Sequence, residues 1–284
     1  MALEYLLDGV SSFASGNWKL ADGTGGSGIA DAATLIVNKG SAKITSDLDW
    51  SALTTGVESF DILSTFLGDI GSAAGSLRFD ADNSSDARVS FAGPGNLYLG
   101  AKGGSNVITF FYMTASGRAY LTEGTFTNVR FGGGTLTVNE STVVTNAYLH
   151  GGSSTVAYNS TDLTVLDIDS GVHTIRRRAV GGSGNFRVTS GTCNYDVTTA
   201  ETGWGEVRIG AAGTLNLISA GATCTDAYVD GVLDASRLKV PVAITNVYYG
   251  PNARVIEGTQ LTITNRIRAS GTSAACGFLP RPTT

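Results

Sequence analysis

The chain has 284 residues, a formal net charge of −5 and a charged fraction of only 15%. The acidic balance argues against a phosphate-binding surface, and so against nucleic acid as a partner; no stretch approaches the roughly 18 apolar residues of a membrane span. A hydrophobic content of 42% with 38 glycines and 5 prolines describes an all-β chain with a core and many tight turns.

At the start, Leu3, Leu6, Leu7 and Val10 fall at helical spacing, which predicts a short helix over residues 3–13. Such a segment would cap the open end of a sheet or serve as an anchoring arm. The opening MALEYLLDGVSSF has no basic segment followed by a long apolar run, so no signal peptide is expected. Residues 22–30 (DGTGGSGIA) read as a flexible connection. Strand signals follow at Thr34–Val37, Ala42–Thr45, Phe60–Leu63, Leu77–Phe79, Val89–Phe91 and Leu97–Leu99. Val107–Tyr112 (VITFFY) is a continuous apolar run, either a fully buried strand or an outward patch that a partner covers.

From Thr127 to Gly250 the chain repeats. Phe131, Leu149, Ile168, Val188, Ile209, Val229 and Tyr249 recur at intervals of 18 to 21 residues. Two places before each sits another apolar residue: Val129, Ala147, Leu166, Phe186, Val207, Ala227 and Val247. One place before each sits Arg130, Tyr148, Asp167, Arg187, Arg208, Tyr228 or Tyr248. Residues two apart share a face of a strand, so the apolar set points one way and the Arg/Tyr/Asp set the other. A unit of about 20 residues cannot bury its apolar face alone and must stack on its neighbours. A second apolar alternation follows each turn, as in Leu136/Val138, Tyr195/Val197 and Leu215/Leu217, and marks a second wall.

The expected fold is therefore a parallel β-helix, a solenoid with coils of about 20 residues, taken as right-handed, behind a short N-terminal helical cap or arm. The expected divisions are 1–33 for the cap or arm, 34–270 for the β-helix and 271–284 for a C-terminal tail.

Few constellations carry chemistry. Asp167 and Asp169 flank Ile168 and would both point outward, a carboxylate pair to weigh for glycoside hydrolysis against two ordinary solvated acids. Asp47/Asp49 and Asp80/Asp82 invite the same comparison. The DADNSSD loop (Asp80, Asp82, Asn83, Asp86) has oxygen ligands suited to calcium but lacks the central Gly and distal Glu of an EF-hand. His150 and His173 read as surface residues at turns, and Cys193 and Cys224 as small buried hydrophobes. In Arg176–Arg178, alternation sends the middle arginine inward, which calls for a bend or bulge. No catalytic residue, metal site or cofactor is expected. The outward row Arg130, Tyr148, Asp167, Arg187, Arg208, Tyr228 and Tyr248 is the candidate interface, since Arg and Tyr are enriched where proteins meet. Its competitor is a glycan-binding face, which the scattered Trp18, Trp50 and Trp204 do not support.

The stretch SFDILSTFLGDIGSAAGSL (Ser59–Leu77) resembles a segment of virion structural proteins of tailed bacteriophages. Gly16–Trp18 (GNW), followed by AD and T-x-x-V over Ala30–Val37, is similar to the same group, as are the Gly/Thr/Asn-rich coils. The resemblance implies a non-enzymatic homotrimer on the virion, a capsid decoration or cement protein bound to the major capsid protein or other virion proteins. The alternative it leaves is a tailspike or adhesin that binds, and in some cases cleaves, cell-surface polysaccharide. A virion protein assembled in the host cytoplasm needs neither a secretion signal nor disulfides.

Overall fold

The computed structural model describes residues 4–8, 17–20, 33–41, 43–44, 57–73, 77–79, 88–101, 107–114, 116–179, 185–197, 204–220 and 223–268. They form two compact units, residues 1–144 and 145–284. Each is a parallel β-solenoid, and no helix longer than a single 3₁₀ residue occurs among the described residues.

In the first unit, one wall is built from Glu4–Asp8, Ala33–Lys39, Val57–Ile62, Arg88–Phe91, Val107–Met113 and the second half of Arg118–Phe131, each pairing in parallel with the next. A second wall stacks Leu77–Phe79, Asn96–Ala101, the first half of Arg118–Phe131 and Thr135–Val138. In the second unit the first wall runs from the end of Thr142–Leu149 through Val165–Ile168, Phe186–Val197, Trp204–Ala220, Thr223–Val229 and Val242–Tyr249 to Leu261–Arg268. Its second wall stacks Ser153–Val156, Val172–Ile175, Phe186–Val197, Trp204–Ala220, Val232–Asp234 and Arg254–Ile256.

Alternation does the packing. Leu149, Ile168, Val188, Ile209 and Val229 are in register on successive coils and wholly buried. Ala147, Leu166, Phe186, Val207, Ala227 and Val247 form the parallel inner row. Each fully buried aliphatic side chain contributes about 1.5–3 kcal/mol relative to exposure. Large rings also fill the interior: Phe186, Tyr195 and Trp204 meet with centroids 5.2–5.7 Å apart. The Tyr195 hydroxyl accepts the Ala179 N–H at 3.1 Å, so the buried phenol keeps a polar partner.

Turns stack as closely as strands. Gly171 has φ +89° and a Cβ there would stand 2.3 Å from the Gly152 carbonyl oxygen; Gly191, at φ +75°, repeats the arrangement over Gly171. Only glycine meets both the backbone conformation and the contact.

One expectation fails at the N-terminus. Glu4–Asp8 is a strand, not a helix: it runs parallel to Ala33–Lys39 and antiparallel to Lys19–Leu20. Four apolar residues at helical spacing are too few to fix so short a helix, whose nucleation is costly, whereas the first coil offers a row of backbone partners. Leu7 and Trp18 are buried there. The tail beyond residue 268 lies outside the described residues.

Candidate interface on the first wall

The predicted outward row divides between the units. Tyr148, Asp167, Arg187, Arg208, Tyr228 and Tyr248 are in register on successive coils of the second unit, followed by Ile267. Arg130 belongs to the first unit, in register with Tyr112.

In the second unit the row is pre-stacked. The Arg208 guanidinium carbon lies 5.0 Å from the Tyr228 ring centroid. Tyr228 and Tyr248 stack at 4.6 Å with planes 8° apart. Polar residues two places before Arg208, Tyr228, Tyr248 and Ile267 brace it. Glu206 pairs with Arg208 on its own strand. Asn246 Nδ2 donates to Asp226 Oδ1 at 2.8 Å, and Asn265 Nδ2 donates to Asn246 Oδ1 at 2.9 Å. Desolvation, and next the Asp226 and Glu206 carboxylates, raise the Tyr228 phenol above its ordinary value, so it remains a neutral donor. Asp167 differs from the rest: it is buried, with Tyr148 and Arg187 one coil to either side.

The first unit carries a matching face that the 20-residue period does not reveal. Ile36, Asp61, Ser90, Tyr112 and Arg130 are in register. The Arg130 guanidinium carbon lies 5.9 Å from the Tyr112 ring centroid, and Phe110 and Tyr112 stack at 5.8 Å. Arg88 pairs with Asp61 at 3.2 Å. The VITFFY run is thus half of each alternative: Ile108 and Phe111 are buried, while Phe110 and Tyr112 face outward and are half-buried. On the second wall, Tyr98 and Tyr120 stack at 4.4 Å.

The other candidates separate. Asp167 is too buried to meet a substrate, and Asp169 Oδ2 is held by His150 Nδ1 at 2.9 Å. The two acids therefore do not form an outward pair. His173 is not a surface residue. It lies inside the second wall, fully buried, with Nδ1 2.9 Å from Ser154 Oγ and Nε2 2.6 Å from the Ser170 carbonyl oxygen. The carbonyl only accepts, so Nε2 carries the proton and Nδ1 accepts from Ser154. Burial lowers the His173 pKa below 6.5. The sequence hint was the alternation itself, since His173 and Ile175 share a parity.

The chain bends at Arg177, as expected, yet the side chain is buried all the same, and desolvation lowers its pKa to about 10. Arg176 pairs with Asp196 at 3.5 Å and Arg178 with Asp162, so the three arginines make no basic patch. Cys193 and Cys224 are buried thiols, and Trp18 and Trp204 are buried rings. Asp47, Asp49, Trp50 and the loop with Asp80, Asp82, Asn83 and Asp86 lie outside the described residues. Among the described residues no cluster of three His, Cys, Asp or Glu is placed to hold a metal ion.

Comparison with protein-family models, curated proteins and solved structures yields no match to this chain.

Proposed function

We propose that this chain is a non-enzymatic structural protein of a tailed-bacteriophage virion, a decoration or cement protein that assembles as a homotrimer through its outward Arg/Tyr face. The Ser59–Leu77 resemblance supplies the family. The observation that carries the interface is the Arg208–Tyr228–Tyr248 stack.

Stacked rings turn edges and hydroxyls outward, not faces. Arg208 covers one face of Tyr228 and Tyr248 the other. Sugar recognition by aromatic residues needs an open face, and this row offers none at Tyr228. A protein partner instead gains from a rigid row of phenol and guanidinium donors whose side-chain entropy is already spent. Backbone groups satisfied within the coils also suit a shell component that must resist slow unfolding.

The rival is a spike or adhesin acting on cell-surface polysaccharide. On the first wall it lacks support, because Asp167 is buried and Asp169 is bound to His150.

The test is the molar mass in solution, by light scattering, of the wild type beside an Arg187→Ser/Tyr228→Ser double variant. A wild-type trimer that the variant breaks into monomers is the expected result. A wild-type monomer, or a trimer indifferent to both changes, overturns the ladder as the trimer interface. Phage particles that lack the chain and remain as stable as intact ones overturn the cement role.

A further inference from the structure

We propose that the second wall of the second unit carries a binding site for a neutral saccharide unit, separate from the first-wall ladder. A cleft of about 120 Å³ opens there, lined by Asn194, Asn216, Leu217, Ile218, Asp234 and Arg237. Asn194, Asn216 and Asp234 are in register on three successive coils. They alternate with buried Cys193, Leu215 and Leu233, so all three face outward.

The hydrogen bonds within the cleft leave a defined set of groups over. Asn216 Nδ2 donates to Asn194 Oδ1 at 2.9 Å. That leaves the Asn194 amide N–H groups as donors and Asn216 Oδ1 as an acceptor. Asp234 Oδ1 accepts the Ser236 N–H at 2.9 Å, which leaves Oδ2. Arg237 is exposed, and no hydrogen bond or ion pair involving it occurs among the described residues.

The composition of the cleft selects its ligand. One carboxylate and one guanidinium make it neutral. A phosphate would meet Asp234, a cation would meet Arg237, and an apolar molecule would strand the two carboxamides. Hydroxyl groups both donate and accept, so a polyol satisfies every one of these groups. Asp234 Oδ2 can accept from one hydroxyl and the Arg237 guanidinium can donate to two. Coils rise by about 4.8 Å, close to the separation of alternate equatorial hydroxyls on a pyranose ring. Half-buried Ile218 offers apolar surface for the C–H face of the sugar.

The full chain is titrated with the methyl glycosides of glucose, galactose, mannose and N-acetylglucosamine, and saturation transfer to the sugar protons is read by NMR. At least one glycoside is expected to receive transfer with millimolar affinity. Arg237→Gln removes the guanidinium from an exposed position, and Asp234→Asn keeps the acceptor for Ser236. Each should weaken binding at least five-fold with the melting temperature unchanged. Absence of transfer to all four glycosides overturns the site, and so does transfer that neither substitution reduces.

Discussion

The guanidinium of Arg208 lies over the ring of Tyr228 on the next coil, 5.0 Å from its centroid, while Glu206 holds the same guanidinium from its own strand. A cation–π contact at a half-exposed site contributes about 0.5–1 kcal/mol. A double-mutant cycle of Arg208→Ala and Tyr228→Ala, followed by chemical denaturation, should give a coupling of that size. Additive effects would show that the two groups merely lie near one another.

Gly171→Ala should destabilise the second unit by about 2 kcal/mol or more, since a left-handed φ for an L-residue alone costs roughly 1–3 kcal/mol and the added Cβ would meet the Gly152 carbonyl oxygen at 2.3 Å. Thermal melting checks it. A melting temperature within a degree of wild type would mean that the turn stack relaxes freely.

His173 makes stability depend on pH. Burial lowers its folded pKa below 6.5, so the folded state prefers the neutral ring and the unfolded chain takes up the proton first. Its contribution is fully present above pH 6.5 and is lost as pH falls through the folded pKa. His173→Gln keeps a donor for the Ser170 carbonyl and an acceptor for Ser154 without a titrating group. The wild-type melting temperature should fall more steeply than the variant's between pH 7 and pH 5. Parallel curves would remove His173 as a source of the dependence.

Cys193 and Cys224 should be inert in the native state. Burial raises both thiols, Cys224 to about 12, so almost no thiolate exists at neutral pH. In a Cys276→Ser background, a thiol reagent should label nothing until denaturant is added, and then label two groups per chain. Rapid native labelling would show that the coil opens at these positions.

The first-wall ladder shows where sequence reading stops. Between Phe131 and Tyr249 the interval holds near 20 residues, and the outward row can be read directly. In the first unit the equivalent positions are Val37, Ile62, Phe91, Met113 and Phe131, separated by 25, 29, 22 and 18 residues. Loops of unequal length hide the period, although each strand keeps its alternation. The outward patch at Phe110 and Tyr112 can be suspected from VITFFY, but its register with Asp61 on the first unit's own outward row cannot be read from the period.

Alternation and its period determined, from sequence alone, that this chain is a stack of parallel coils and which side chains of the repeat point inward. It does so because a strand has period 2 and a coil cannot bury its apolar face without a neighbour. The sequence did not determine which residues from different coils touch. That depends on register: only stacking puts Arg208 on Tyr228, His150 on Asp169 and Ser154 on His173. Burial of Asp167 was likewise decided in three dimensions, because a strand's outer face is wet only where the adjacent side chains leave it open.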